Sequence, residues 1–298
     1  MTASNKFTMD KVALGVTVAA AMSTTFAQTA GVAEKFDNII IEKVVTNNHP
    51  EYLLHLIKIS EILCQENGTP LKGGPFNEAY VLKLLTKKET TYLSGRTKAV
   101  YKEGYRDPKD DGTACDFTLY PIRSVSLTSP TERWIANDGP AGPSFKSRTP
   151  EREVVDSLEA HNQRRAARAA TRAATRTYAT KEKHFGHECG YVGIAQAACQ
   201  LIASPIHEGT GTKLFVHWRK PEITNPTFRG KPIDCNRPPQ ANIAEFKANG
   251  VIGACSNAGV QIKVERFEVN ATIPPGIFDV PDFAREAARA SGFNFKQR

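Results

Sequence analysis

The sequence predicts an α+β protein in which two compact mixed lobes are joined by a long basic helix and braced by disulfides. Three observations lead to this fold class. Strand-like and helix-like stretches follow one another without a regular βαβ order. A segment rich in alanine and arginine separates the two halves of the chain, and six cysteines flank that segment. A length of 298 residues, 40% of them hydrophobic and 23% charged, is enough for one large or two ordinary hydrophobic cores.

Residues 1–27 have the pattern of a signal peptide. Two lysines precede the apolar run Val12–Met22, and Thr25 and Ala27 suit the small positions of a cleavage site. The run of 11 residues is short for a membrane span. The alternative is a first helix or strand buried in the core. The pattern favours an exported protein, periplasmic or extracellular.

Residues 28–148 are expected to form the N-terminal α+β region. A β-rich run and two apolar patterns with helical spacing carry this interpretation. The expected elements are a strand at Phe36–Val45, a helix from Pro50 that ends at Gly68 (with a strand as the alternative), a helix over Asn77–Glu89 capped by Asn77, strands in Ala114–Thr128 broken at Pro121, and a Gly/Pro-rich linker or exposed loop at Asn137–Pro150.

Residues 149–185 are expected to form the basic helix, with Thr149 as its N-cap and Pro150 at its first position. Arginines spaced by four form a stripe about 18 Å long on such a helix. An alanine row beside it would let another backbone approach closely. The stripe consists of Arg164, Arg168, Arg172 and Arg176, with Arg165 beside it.

Two interpretations of this stripe stay open. Acidic residues near the start of the helix and basic residues near its end suit the helix dipole, which favours a structural rod or subunit contact. Arginine also binds carboxylate and phosphate groups, which favours an acidic partner or an anionic surface. Nucleic acid is less favoured, because no aromatic side chain interleaves the arginines for base stacking. Most of the formal net charge of +8 lies in residues 164–183.

Residues 186–298 are expected to form a C-terminal α+β region rich in disulfides. Its most regular pattern is the alternation of apolar and polar residues in Gly259–Val269. The expected elements are a helix stop at Gly186, a short apolar helix at Tyr191–Ala203, a strand at Lys213–Trp218, a helix at Asn242–Gly250, a strand at Gly259–Val269 and a closing helix at Val280–Gly292.

An even number of cysteines in an exported chain favours disulfides, of which six cysteines allow three. If each half of the chain pairs internally, Cys64 must pair with Cys115, and the other four cysteines allow three connectivities. The alternative is a cytosolic protein with reduced, buried thiols. The disulfide candidates are Cys64, Cys115, Cys189, Cys199, Cys235 and Cys255.

A second candidate site is the stretch that holds His184, His187 and Cys189. All three side chains can bind metal, and zinc would need a fourth ligand from Cys199, Cys235 or His207. The spacing matches no closed zinc signature, so Cys189 is assigned to a disulfide and the metal site is the less favoured interpretation. No cofactor motif is present: the glycine-rich stretch at residues 207–213 lacks the spacing of a phosphate loop.

These features predict a non-enzymatic exported protein, with a structural or binding role in the cell envelope or extracellular space. It could be a subunit of a larger assembly that docks through the basic helix onto a protein partner, another copy of itself or an anionic envelope surface. An exported hydrolase with a His/Cys site and a nucleic-acid-binding protein are the alternatives.

Overall fold

The computed structural model describes residues 36–47, 50–106, 115–148, 160, 164, 178, 180–192, 197–202, 213–219, 227–228, 231–232 and 260–295. The strands are Asn38–Asn47 (β1), Lys72–Gly73 (β2), Thr86–Ser94 (β3), Thr97–Arg106 (β4), Asp116–Phe117 (β5), Tyr120–Thr128 (β6), Arg133–Asp138 (β7), Ser144–Arg148 (β8), Lys181–His184 (β9), His187–Val192 (β10), Ala198–Leu201 (β11), Phe215–Trp218 (β12), Thr227–Phe228 (β13), Lys231–Pro232 (β14) and Val260–Val269 (β15). The helices are Pro50–Glu66 (α1), Glu78–Leu85 (α2) and Arg285–Ala290 (α3), the last preceded by a 3-10 turn at Asp282–Ala284.

Seven antiparallel strands form a large sheet in the order β15-β1-β3-β4-β6-β7-β8. Strands from the two ends of the described chain are neighbours in it, with Ile41 opposite Phe267. β1 is rich in isoleucine and valine, which pack well on a pleated surface. The strands predicted at Phe36–Val45 and Gly259–Val269 are confirmed.

Four antiparallel strands form a second, smaller sheet in the order β12-β11-β10-β9. Buried side chains on one of its faces pack on the β15-β1-β3 end of the large sheet and close a common core. The buried members of that core are Phe36, Ile39, Ile41, Leu93, Val264 and Phe267 from the N-terminal segment and the large sheet, and Cys189, Tyr191, Cys199, Leu201, Leu214 and Val216 from the small-sheet region. Residues from both halves of the chain therefore share one core.

A second core lies on the opposite face of the large sheet, because Tyr92 packs into it while the next residue, Leu93, points into the first core. The C-terminal segment covers this face with Val280, Ala284 and Ala288. The closing helix predicted at Val280–Gly292 is confirmed, although its first turn is a 3-10 turn.

Helices α1 and α2 enclose a third cluster with Phe117. A disulfide joins Cys64, near the end of α1, to Cys115, beside β5. Asn77 caps α2, as predicted, by accepting a hydrogen bond from the Tyr80 amide at 3.0 Å. Within the described residues, no helix is both long and apolar enough to cross a membrane.

The predicted α+β fold of two lobes joined by a long helix is wrong, because the described chain is mostly β and its two halves share a sheet and a core. Where a helix was predicted at Tyr191–Ala203, most of the described residues lie in strands β10 and β11. Where a linker was predicted at Asn137–Pro150, β7 and β8 form a hairpin.

The predicted basic helix of residues 149–185 is also corrected at its C-terminal end. Lys181–His184 is strand β9, and Gly186 lies in the turn to β10. Ala160 and Arg164 are helical, and among the described residues no long helix connects two lobes. The remaining arginines of the stripe and the helix predicted at Asn242–Gly250 lie outside the described residues.

Candidate functional site

The small sheet carries a cluster of polar side chains, which we call the concave cluster: Glu182, His184, Tyr191, His217 and Arg219. Glu182 lies opposite Cys189 in the strand register, and His217 lies opposite Cys199. Directly opposed residues of an antiparallel pair point to the same face. The concave cluster therefore shares its face with the buried Cys189–Cys199 disulfide.

The histidines of this cluster come from strands at opposite edges of the sheet, with two strands between them. On a flat sheet their backbones would be about 14 Å apart. The rings of His184 and His217 are nevertheless stacked, with centroids 4.1 Å apart and an interplanar angle of 12°. The sheet is thus curved, and these side chains converge over its concave face.

Glu182 is the centre of the hydrogen bonding in the cluster. Its Oε2 accepts a hydrogen bond from the Tyr191 hydroxyl at 2.7 Å and lies 2.9 Å from His184 Nε2. Its Oε1 accepts a hydrogen bond from the Arg219 guanidinium at 3.1 Å. The hydrogen bonds from Tyr191 and His184, with that from Arg219, lower the pKa of Glu182 to about 2. Glu182 is therefore a carboxylate at neutral pH.

Tyr191 and Arg219 support the carboxylate from the centre of the sheet and from one edge of it. Tyr191 is 4% exposed, and the Arg219 guanidinium lies 3.7 Å from the centroid of its ring. Burial and the hydrogen bond to Glu182 raise the pKa of Tyr191. Because a buried tyrosine with a bound hydroxyl has little freedom, it fixes the position of Glu182 Oε2.

His217 is half-buried beside Tyr191, with ring centroids 6.4 Å apart. Burial lowers the pKa of His217, and the nearby His184 and Arg219 act in the same direction, while Glu182 opposes them. The imidazole of His217 is therefore neutral at neutral pH, which is the form that binds metal ions.

The structure separates the histidines that the sequence grouped together. His184 and His187 are opposite each other across β9 and β10. The His187 ring packs edge-on against Phe36 and Phe267, with centroids 5.8 Å and 5.6 Å away, whereas His184 joins the concave cluster. Cys189 is bonded to Cys199, so its sulfur is not a thiol.

Of the predicted arginine stripe, Arg164 is described. Its Nε donates a hydrogen bond to the carbonyl of Ala160, four residues earlier in the sequence, at 3.1 Å. Arg165, Arg168, Arg172 and Arg176 lie outside the described residues, as do the disulfide candidates Cys235 and Cys255.

Sequence reasoning missed Glu182, Tyr191 and Arg219, and it did not place His217 beside His184. One local signal was present. Phe185–Gly186 is a two-residue turn, with φ angles of 52° and 83°. In the stretches on each side of this turn, every second residue has a side chain that can bind a metal ion or exchange a proton. Read as a hairpin, these stretches place Glu182 and His184 on one face with Cys189 and Tyr191. No protein-family model matches the chain, and no curated protein matches it.

Proposed function

We propose that the chain is an exported binding or structural protein, periplasmic or extracellular, that presents the concave cluster on a disulfide-braced β scaffold. One observation carries this proposal: the Cys189–Cys199 disulfide is fully buried in the shared core, on the face that bears the cluster. Disulfides of this kind persist in oxidising compartments. The Cys64–Cys115 disulfide supports the same conclusion, since it fastens α1 to the strand region beside it.

A binding role is favoured over turnover because Glu182 is held on both of its oxygens. With a pKa of about 2, Glu182 is also a weak general base at neutral pH. A nucleophilic cysteine needs a thiolate, and Cys189 is oxidised. A rigid cluster whose groups orient one another is better suited to holding a ligand in place.

Intact mass spectrometry of protein made with its own N-terminus tests the proposal. We expect the exported chain to have lost residues 1–27, and reduction to add two hydrogens for each disulfide. A control variant with Leu14→Arg and Val18→Arg interrupts the apolar run and should keep the full-length mass. An intracellular wild-type chain of full length with free thiols at Cys64 and Cys189 would contradict the proposal.

Docking of the arginine stripe onto a protein partner, a second copy of the chain or an anionic surface is part of the same proposal. Native mass measurements of the wild type and of Arg168→Glu with Arg172→Glu test it. We expect assembly, or binding to anionic vesicles, to weaken in the variant. If both survive the charge reversal, the stripe is not the contact. If the partner is nucleic acid, we expect instead that binding depends steeply on the salt concentration.

A further inference from the structure

We propose that His184, His217 and Glu182 form a binding site for a divalent first-row transition metal ion, with Zn²⁺ as the reference ion. The proposal names a ligand for the concave cluster, and the biological role of that ligand rests on the binding function proposed above. The coordination chemistry itself depends on the side chains alone.

The donor set suits a transition metal ion. Two imidazoles and one carboxylate are a combination that binds zinc and iron in proteins, with a further position left for water or another ligand. One ligand atom from each of these three side chains lies within 4.8 Å of the others. Donors bound to zinc are about 3.3 Å apart, because each lies about 2.0–2.2 Å from the ion. Side-chain rotations that move the donor atoms by about an ångström therefore bring them to the ion.

The cluster is accessible to an ion from the solvent. The His184 side chain is 25% exposed and that of Glu182 is 38% exposed, so an ion reaches them from solvent. The ion would take the place of the proton between His184 Nε2 and Glu182 Oε2. Because an ion lies in the plane of each imidazole that binds it, the two stacked rings must also turn towards each other.

Two groups behind the ligands hold the carboxylate in place. The Tyr191 hydroxyl and the Arg219 guanidinium hold the two oxygens of Glu182. Groups of this kind orient the ligands of protein metal sites. The positive charge of Arg219 weakens the binding of a cation. Its hydrogen bond is to Oε1, however, and Oε2 is the oxygen that faces His184.

The disulfide-braced scaffold holds the strands that carry the ligands. The disulfide cross-links the two inner strands, and its cysteines lie opposite Glu182 and His217. The strands that carry the ligands are each paired to a cross-linked strand. The spacing of these strands is therefore fixed before an ion binds, which lowers the free-energy cost of ordering the site.

His187 supplies a matched control. It is a histidine in the same hairpin as His184, but its ring lies against Phe36 and Phe267. A His187→Gln variant removes a metal-binding side chain from the same region and leaves the proposed ligands in place.

The test uses the full chain without a histidine tag, with its disulfides intact and its metal removed by chelation. Titration calorimetry with Zn²⁺ and visible spectra with Co²⁺ are measured for the wild type and four variants. We expect the wild type and His187→Gln to bind one equivalent. His184→Gln, His217→Gln and Glu182→Gln should each bind at least about tenfold more weakly.

Two outcomes of the titrations overturn the proposal: a wild type that binds neither ion, or a binding constant that His184→Gln and His217→Gln leave unchanged. Circular dichroism checks the fold of each variant. If a variant does not fold, proton NMR of the wild type replaces it. The histidine signals of the wild type are then followed as Co²⁺ is added. Paramagnetic shifts of His184 and His217 that spare His187 support the site, and the reverse pattern overturns it.

Failure of this proposal is distinguishable from failure of the proposed function. A processed, disulfide-bonded chain that binds no metal would retain the export proposal and remove the metal site. An unprocessed intracellular chain whose oxidised form still binds one equivalent would do the opposite.

Discussion

His184 and His217 stack in parallel at 4.1 Å, although their strands are at opposite edges of the small sheet. Tyr191, on one of the strands between them, lies edge-on to His217 with ring centroids 6.4 Å apart. Aromatic contacts of this kind contribute about 1 kcal/mol beyond the area that they bury. The stack therefore helps to hold the curvature of the sheet while no ion is bound.

This contact leads to a prediction about the stability of the metal-free chain. His217→Phe keeps a flat ring against His184, whereas His217→Ala removes it. We expect the alanine variant to be less stable than the phenylalanine variant by about 1 kcal/mol or more, since it loses both stacking and packed area. Urea unfolding of the metal-free protein measures the difference. Equal free energies of unfolding would show that the stack does not contribute to stability.

Tyr191→Phe tests the role of the tyrosine as a positioning residue for Glu182. The ring remains under Arg219, but the hydroxyl that donates to Glu182 Oε2 is lost. We expect Zn²⁺ to bind about 10-fold to 100-fold more weakly, with the circular dichroism spectrum unchanged. A structural role alone would lower the free energy of unfolding and leave the affinity of the folded chain as it was.

The two disulfides are expected to differ in their reaction with reductants. Cys189 and Cys199 are fully buried; in the other bond Cys64 is buried too, but Cys115 is half-buried and so offers a sulfur to the solvent. Mild reduction of the native protein should open Cys64–Cys115 first, because exchange requires a thiolate to reach a sulfur atom. Alkylation followed by peptide mapping gives the order. In urea the difference should disappear, and an order reversed in the native protein would contradict the burial of Cys189–Cys199.

The loops closed by these bonds also set an expectation for stability. The sequence separations are 51 residues for Cys64–Cys115 and 10 residues for Cys189–Cys199. In the chain-entropy model, such loops correspond to about 4 and about 3 kcal/mol. Paired serine substitutions and urea unfolding check these values. Removal of the buried pair should exceed its entropic value, since it also places hydroxyl groups in the core.

The elements that the sequence predicted correctly are those with strong local signals. The β-branched run of β1 and the alternation in β15 indicate strands whatever their partners are. Asn77 starts α2 because its side chain satisfies a free amide of the first turn. The end of α2 was wrong: Lys87, Lys88 and Glu89 suit a helix but lie in β3. There Glu89 gains Lys43 and Lys102 as partners on the neighbouring strands.

The concave cluster depended on tertiary structure that no local pattern contains. The run from Tyr191 to Ala203 is apolar without a clear period, and its pairing as β10 and β11 becomes evident only with the Cys189–Cys199 bond. His217 comes close to His184 because β12 pairs with β11 and the sheet curves. Local spacing alone therefore grouped His184 with His187, the nearest histidine in the sequence.

Glu89 leads to a prediction about acid stability. Its carboxylate lies 2.7 Å from Lys43 Nζ and 3.2 Å from Lys102 Nζ, and its side chain is 16% exposed. Burial alone would raise its pKa, but the hydrogen bonds and charges of the two lysines together lower it from 4.5. Since the folded pKa is below the unfolded one, Glu89 stabilises the fold above pH 4.5, and this stabilisation is lost as the pH falls through the folded pKa.

Glu89→Gln should therefore cost about 2 kcal/mol at pH 7, and the cost should shrink as the pH falls below 4.5. Urea unfolding between pH 7 and pH 3 measures this change. Glu103→Gln, on the exposed surface of the adjacent strand β4, is the control and should have a small effect throughout. A cost for Glu89→Gln that is independent of pH would contradict the ionic origin of the stabilisation.

Tyr101 should make stability fall at alkaline pH. Its hydroxyl donates a hydrogen bond to the Ile277 carbonyl at 2.6 Å and so fastens the C-terminal segment to the large sheet. Burial, with Tyr92 and Asp279 nearby, raises its pKa to about 12 from 10.0. Because the folded pKa is above the unfolded one, this stabilisation is complete below pH 10 and is lost as the pH rises towards 12.

Tyr101→Phe removes both the hydrogen bond and the titration. At pH 7 we expect it to cost about 1 kcal/mol, because the Ile277 carbonyl loses its donor. Between pH 10 and pH 12 the cost should shrink and then reverse, since only the wild type has a hydroxyl that ionises more readily when the chain unfolds. Urea unfolding across this range measures the crossover, with Tyr105→Phe on the same strand as the control. Parallel curves for the wild type and Tyr101→Phe would mean that the hydroxyl ionises equally readily in the folded and unfolded chains.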